Sequence, residues 1–195
     1  STRTRADLHV DLLAGLPGET IDGIAANFDA LWAFRPKELQ FGILKRLPGT
    51  PLDERADEWG LTFDPDPPYA IRATDALDTA DVHRLRTFSR FWDQLFNSGR
   101  FSRSLPLFLE RGASAFRAFR ALSDELERRL GRSWGVPLED MARAVRDIGR
   151  DRFDLPEALD AAILADYADG GRRRTPPSLQ PLRTESVQKS GLGRP

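Results

Sequence analysis

Cysteine is absent from this chain of 195 residues, and histidine and methionine are scarce. Without thiols the chain can form no disulfide, hold no iron–sulfur cluster through its own residues and perform no thiol chemistry. Only His9 and His83 remain as imidazole ligands, so we expect no metal site. No apolar run approaches the ~20 residues that span a bilayer, and no signal-peptide pattern opens the chain. The sequence therefore predicts a cytoplasmic protein without a membrane partner.

Neither sign of charge dominates the chain. The 29 lysine and arginine residues and the 30 aspartate and glutamate residues give a formal net charge of −1. A balanced surface has no long-range field that attracts polyanions, so we do not expect nucleic acid as a partner. One basic run, Arg172-Arg173-Arg174, lies in a tail poor in apolar residues and leaves an RNA-binding module open as an alternative.

Two short apolar runs near the start of the chain each precede a Pro-Gly turn. Residues 8–14 and 39–44 are predicted strands, and Pro17-Gly18 and Pro48-Gly49 are their turns. The residues between them, from Ile21 onward, carry apolar side chains at helical spacing. A strand–helix–strand unit of this length predicts parallel strands, so both turns should lie at the same carboxyl-terminal edge, where ligands bind in such folds.

Local signals place the ends of the helices in this first part. Thr20 is a suitable N-cap, because its hydroxyl can accept from the first backbone N–H groups of a helix. The helix is expected to end before Arg35-Pro36, since a residue that precedes proline avoids the helical region. A second, shorter helix is predicted from about Leu52 to Trp59, with Gly60 as its stop.

The character of the chain changes after Gly60. A proline-rich stretch predicts an extended connector, and every later segment has helical periodicity until the tail. Helices are expected within residues 82–96, 101–109, 115–130, 138–148 and 155–167. The predicted fold class is therefore α/β followed by all-α. Its parts are a βα segment (1–60), a connector (61–77), an α-helical domain (78–169) and a disordered tail (170–195).

The two turns are the first candidates for ligand binding. Glycine lets a backbone approach a ligand closely, and a strand-to-helix turn leaves N–H groups free to face it. No Gly-Lys-Ser/Thr follows the glycines, so neither turn is a P-loop. His9 and Asp11 share one strand face and are candidates for facing a substrate or cofactor. A hydrogen-bonded structural histidine remains the alternative for His9, and helix-dipole stabilisation alone accounts for Glu19.

Two motifs resemble radical S-adenosylmethionine (radical SAM) enzymes. HVDLLAGLPGET (residues 9–20) is similar to the fifth strand and turn of that family, and FGILKRLPGTPL (41–52) to the sixth. The helical remainder resembles a domain of unknown function, number 4080, that follows a cobalamin-binding radical SAM module. The motifs that carry this resemblance are Pro67-Pro68-Tyr69 and FNSGRF (96–101). The resemblance covers about residues 8–167.

This resemblance implies a fold, a set of cofactors and a set of site residues. The family fold is a partial (β/α)6 barrel with a 4Fe-4S cluster on a three-cysteine motif, which cleaves S-adenosylmethionine to start radical chemistry. By position, the cofactor-binding residues would be Leu13, Gly15, Leu16, Pro17 and Gly18 at the first turn, and Leu47, Pro48 and Gly49 at the second.

The chain departs from the family at one decisive point, because it has no Cys-x3-Cys-x2-Cys motif. It also begins with Ser1 rather than methionine, so we expect a carboxyl-terminal fragment that helps to bind S-adenosylmethionine and substrate but is not active alone. Its implied partner is the upstream barrel half of the parent, which would supply the cluster and any cobalamin. The helical domain is expected to cover the barrel mouth or an exposed sheet edge. The alternative is a non-catalytic helical protein–protein interaction module.

Overall fold

The structure is a computed structural model that describes residues 7–155 and 157–169. This part of the chain has a mixed α/β fold with two small sheets and seven helices. The predicted tail from residue 170, with its arginine run, lies outside the described residues. So does the start of the chain, residues 1–6.

The first sheet is the predicted strand–helix–strand unit. Strand β1 (His9–Ala14) and strand β2 (Glu38–Ile43) are parallel and in register from His9 beside Glu38 to Ala14 beside Ile43. Helix α1 (Ile21–Trp32) connects them, and the Gly23 amide donates to the predicted N-cap Thr20. The parallel pair and its connecting helix are confirmed. A partial barrel goes beyond two strands and stays a prediction.

The second predicted helix is shorter than expected. Helix α2 (Pro51–Glu54) starts at the N-cap Thr50 but ends at Arg55, whose ψ of 18° leaves the helical region. None of the four residues of α2 is fully buried, although Leu52, Ala56 and Trp59 pack against the edge of the core. The chain continues to Gly60 in turns.

The predicted connector contains a small hairpin. Strand β3 (Thr62–Phe63) pairs antiparallel with strand β4 (Ile71–Ala73). The Ile71 amide donates to the carbonyl of Leu44 just beyond β2 (2.8 Å), and its side chain is fully buried. The sequence predicted an extended stretch here, but not that it would pair with itself and attach to the end of β2.

The remaining described residues are mostly helical, as predicted. Helix α3 (Thr79–Trp92) continues as a π-helical turn (Asp93–Asn97). It is followed by α4 (Leu105–Leu109), α5 (Ala115–Leu130), α6 (Leu138–Phe153) and α7 (Glu157–Asp169). Asp78 caps the start of α3 by accepting from the Asp81 amide, and Gly131 ends α5 in the left-handed region with φ of 64°. Among the described residues, no helix is long and apolar enough to cross a membrane.

The sheet and the helices share one hydrophobic core. At its centre the ring of Phe28 on α1 meets four rings edge to face. They are Phe41 of β2 at 6.2 Å between centroids, Phe88 and Trp92 of α3 at 5.4 and 4.9 Å, and Phe116 of α5 at 5.7 Å. Such pairs contribute about 0.5–1.5 kcal/mol each beyond the burial of their area. The βα segment and the helical segment are therefore packed as one body in the described residues.

A buried carboxylate anchors α7. The side chain of Asp166 is only 2% exposed. It accepts from the backbone amides of Arg103 and Ser104 at 3.0 and 2.9 Å, and from the Ser104 hydroxyl at 2.6 Å. Hydrogen bonds to an ionised acceptor are the stronger kind, so this contact holds α7 against the residues that precede α4.

An ionic contact joins α5 to α6. Glu125 on α5 accepts from Arg128 and Arg129, and Arg129 also reaches Asp151 on α6 at 2.7 Å. The hydrogen bond from Arg128, assisted by Arg129, lowers the pKa of Glu125 from 4.5 to about 2. Glu125 therefore stays ionised at all but strongly acidic pH.

Candidate functional site

Both predicted turns lie at the carboxyl-terminal edge of the parallel sheet. Gly15 and Gly18 follow β1 with φ of 98° and 75°, and Gly49 follows β2 with φ of 76°. Residues with side chains rarely adopt these values, so the turns require glycine at these positions.

The first turn is closed by a carboxylate. Glu19 Oε2 accepts from the backbone amides of Gly15 and Leu16, each at 2.9 Å. The sequence predicted that the turn leaves N–H groups free to face a ligand, and for these two amides that expectation is wrong. The reason is local, because Glu19 follows Gly15 by four residues and folds back over the turn.

The second turn repeats this arrangement. Asp53 Oδ2 accepts from the Gly49 amide at 3.0 Å, again four residues after the glycine. Arg46 pairs with the same carboxyl group, and this hydrogen bond is the largest cause that lowers the pKa of Asp53. In both turns a carboxylate occupies N–H groups that would otherwise attract an anion. The pair of turns therefore suits a ligand group that is neutral or positively charged.

Apolar side chains are exposed at the same edge. Leu13, near the end of β1, is 41% exposed, and Leu47, in the second turn, is 64% exposed. Both were predicted as cofactor-binding residues from the resemblance, as was Pro48, which is also exposed. Exposed large apolar residues are informative when they gather near a cleft or an edge, because such places bind ligands or partners.

Gly15 has a packing role in addition to its turn. It is buried, and a Cβ atom there would lie 2.8 Å from Ile71 Cγ2 of β4 and 3.5 Å from Leu44 Cβ. The sequence explained this glycine by the close approach of a ligand. The structure shows that the hairpin approaches it.

The predicted polar pair lies on the open face of the sheet. His9 and Asp11 are exposed on the face opposite the core, together with Glu38 and Gln40 of β2. His9 Nδ1 lies 2.7 Å from Glu38 Oε2, and the hydrogen bond from Gln40, followed by that from His9, lowers the pKa of Glu38. His9 is four residues before Leu13, about 13 Å along the strand, so the structure does not bring it to the turns.

The outer edge of β1 is open. In a parallel ladder the N–H and C=O groups of one residue point to the same side, and the side alternates along the strand. The Leu8 carbonyl accepts from the amide of Glu38, and the Ala14 carbonyl accepts from the amide of Leu44. The even-numbered residues of β1 therefore direct their backbone groups toward β2. Residues 9, 11 and 13 therefore direct their backbone groups outward, where no strand of the described residues lies.

The outer edge of β2 is covered by side chains from the helical part. Trp92 Nε1 and Asn97 Nδ2 donate to the carbonyl of Leu39 at 2.8 and 3.1 Å, and the Leu39 amide donates to Asn97 Oδ1 at 3.2 Å. The hydroxyl of Ser89 donates to the Phe41 carbonyl at 2.6 Å. The sequence predicted that the helical domain covers the barrel mouth or an exposed sheet edge, and it does cover this edge. The residues that make the contacts were not identified, although the motif FNSGRF contains Asn97.

An open cavity of about 590 Å³ lies beside the second turn. Arg46 and Pro48 line it on one side, and Phe63 and Tyr69 of the hairpin region on the other. Among the predicted site residues, Pro48 lines this space. The described residues contain no group of three or more histidine and carboxylate side chains arranged to hold a metal ion, and His83 is an exposed residue 3.2 Å from Glu127.

One comparison with known proteins bears on this arrangement. Residues 57–133 match the family model "Protein of unknown function (DUF4080)". The match supports the predicted resemblance of the helical part, and we call residues 57–133 the DUF4080 segment. It includes β3, β4, α3, the π-helical turn, α4 and α5, and therefore both Ile71 and the side chains that cover β2. No curated protein matches the chain.

Proposed function

We propose that this chain is the carboxyl-terminal part of a radical SAM enzyme and that its two turns contribute to binding S-adenosylmethionine. The observation that carries this proposal is the exposure of Leu13 and Leu47 at the edge where two glycine turns end parallel strands. A purine ring is flat and largely apolar on its faces, and leucine side chains provide the matching contact.

The residues of the turns fit one of the implied cofactors. Because Glu19 and Asp53 occupy turn amides, the edge does not favour a phosphate-bearing nucleotide. S-adenosylmethionine carries a sulfonium and no phosphate, so it is compatible with these carboxylates. When bound in the complete enzyme it supplies the radical chemistry of the family. The cofactor-binding set remains Leu13, Gly15, Leu16, Pro17, Gly18, Leu47, Pro48 and Gly49.

The chain does not fit the iron–sulfur cluster, because it has no cysteine to bind one. No step of the chemistry is therefore assigned to this chain alone. In the proposal the cluster, and cobalamin if the parent uses it, belong to the upstream barrel half. The open edge of β1 supports this partner, because residues 9, 11 and 13 direct backbone groups that no other described residue pairs with to the side where a preceding parallel strand would lie.

The proposed substrate surface is the open face of the sheet. His9 and Asp11 are exposed there, and in a completed barrel this face would point inward. Asp11 lies closer to the turns than His9 and is the better candidate for contact with a ligand held there.

Equilibrium dialysis of S-adenosylmethionine with the full gene product tests the proposal. Leu47→Ala removes the expected apolar contact without adding a charge, and losing the burial of one leucine against the ligand should weaken binding about tenfold or more. Phe34→Ala is the matched control, because Phe34 is also exposed (72%) but lies beyond the end of α1, away from the turns. Equal binding by the two variants, or a gene product without a three-cysteine motif, would refute the proposal.

The alternative of a helical protein–protein interaction module uses the same open edge of β1. In that case the edge would accept a strand from another protein, and S-adenosylmethionine would not bind. The dialysis experiment separates the two, since the interaction module predicts no binding by the wild-type gene product.

A further inference from the structure

We propose that the DUF4080 segment terminates the parallel sheet by forming the hydrogen bonds that a further strand would form with β2. The side chain of Asn97 takes the place of a peptide group of that strand. The inference concerns the helical part rather than the turns, and it does not depend on the cofactor. It rests on three side chains, Ser89, Trp92 and Asn97, and on the backbone groups of β2 that they contact.

The contacted groups are those that a further strand would use. The pairing of β1 with β2 uses the even-numbered residues of β1, so the odd-numbered residues of β2 face outward. Leu39 and Phe41 are such residues. A neighbouring strand would offer N–H donors to their carbonyls and C=O acceptors to their amides.

Asn97 supplies both kinds of group to Leu39. Its carboxamide nitrogen donates to the Leu39 carbonyl, and its carboxamide oxygen accepts from the Leu39 amide, at 3.1 and 3.2 Å. A carboxamide has the same donor and acceptor as a peptide unit, so one asparagine side chain can replace the peptide group of a partner strand. Trp92 and Ser89 satisfy the Leu39 and Phe41 carbonyls in addition.

The carboxamide is held in this orientation. Asn97 Nδ2 also donates to Asp93 Oδ1 at 2.7 Å, which distinguishes the nitrogen from the oxygen of the side chain. Asn97 is the last residue of the π-helical turn, and Trp92, the residue before this turn, is fully buried. Leu39 is fully buried too, so without Asn97 its amide would lose its acceptor, whereas its carbonyl would keep the hydrogen bond from Trp92.

The consequence is a sheet that can accept a strand on one side only. The β2 edge is occupied by the DUF4080 segment, whereas the β1 edge is open in the described residues. Exposed edges promote pairing between chains, and covering one with a helix is a known protection. The structure thus gives the helical part a definite role, which is to direct strand addition to β1.

Hydrogen exchange at the Leu39 amide tests the first step. Asn97→Ala removes the acceptor for this amide, and its exchange should accelerate about tenfold or more. Asn97→Asp replaces the donor nitrogen by a carboxylate oxygen that would face Asp93 and the Leu39 carbonyl, so it should lose protection as well. The matched control is Ser98→Ala, because the Ser98 hydroxyl donates to the Gln94 carbonyl and does not contact the sheet. Unchanged exchange at Leu39 in Asn97→Ala would overturn the inference.

Self-association tests the second step and does not require assigned amides. In sedimentation experiments the double variant Ser89→Ala/Asn97→Ala should associate at lower protein concentration than the wild type, because the Leu39 amide and the Phe41 carbonyl lose their partners and only Trp92 still occupies the β2 edge. A control double variant, Gln94→Ala/Ser98→Ala, loses bonds in the same region but none to β2. Association of the two double variants at the same concentration would contradict the role as terminator, even if Leu39 loses its protection.

Discussion

Replacement of Gly15 by alanine tests the contact between the first turn and the DUF4080 segment. Two separate costs are expected. Gly15 has φ of 98°, and a residue with a side chain at positive φ costs about 1–2 kcal/mol. The new Cβ would also lie 2.8 Å from Ile71 Cγ2, and such overpacking costs about 1–3 kcal/mol. Gly15→Ala should therefore lower the free energy of unfolding by about 2–5 kcal/mol in total.

Gly49→Ala isolates the first of these costs. Gly49 has φ of 76°, but a Cβ atom added there would meet no heavy atom within 4 Å beyond its two chain neighbours. Its replacement should therefore cost only about 1–2 kcal/mol. Both free energies follow from urea denaturation monitored by the tryptophan fluorescence of the shared core.

A double-mutant cycle with Ile71→Ala isolates the second cost. Ile71→Ala removes the methyl group that the new Cβ would meet, so the double variant should be less destabilised than the sum of the single variants by about 1–3 kcal/mol. If the two changes add to within about 0.5 kcal/mol, the contact between Gly15 and Ile71 does not exist as described. Equal destabilisation by Gly15→Ala and Gly49→Ala would refute the reasoning in the same way.

Three further predictions concern carboxylates. Glu19→Ala leaves two turn amides without their acceptor and should cost about 1–3 kcal/mol in urea denaturation, whereas Asp22→Ala, which removes an exposed ion pair, should cost less than about 1 kcal/mol. Asp166→Ala should cost about 3 kcal/mol and make α7 the first site of limited proteolysis, because buried donors lose a charged acceptor. The pKa of Glu125 is about 2 in the fold, below its usual 4.5, so the unfolded chain binds more protons between these values. Stability should therefore fall as pH drops from 4.5 to 2, and Glu125→Gln should flatten this dependence in denaturation curves measured across that range.

The parallel pair could be predicted from the sequence because its signals are local. Apolar runs, the N-cap Thr20 and the glycine turns lie within a few residues of the structure that they specify. The helices after residue 78 were predictable for the same reason, since an apolar stripe repeats within each one. The exact ends of helices were harder to predict. The short helix α2 leaves the helical region at Arg55 although the apolar spacing continues to Trp59.

The contacts that complete the site could not be predicted in this way. Asn97 meets Leu39 across 58 residues of sequence, and Ile71 meets Gly15 through a hairpin whose proline-rich loop indicates a turn but not which residues pair across it. The carboxylate of Glu19 was within reach of sequence reasoning, because it follows a turn glycine by four residues. It was assigned to the helix dipole, since the spacing alone does not show whether the side chain turns toward the solvent or back to the strand end.

The DUF4080 segment therefore supports the candidate site in two places, besides lining the cavity beside the second turn. Ile71 packs beneath the first turn, and Asn97 closes the sheet beyond the second strand. Both contacts belong to one core that also contains Phe28 of α1. A change within the segment that shifts α3 would move β4 and β2 together, because Ser89 and Trp92 bind the β2 backbone. The geometry of the two turns thus depends on the DUF4080 segment, and a ligand in the cavity beside the second turn would also contact its hairpin.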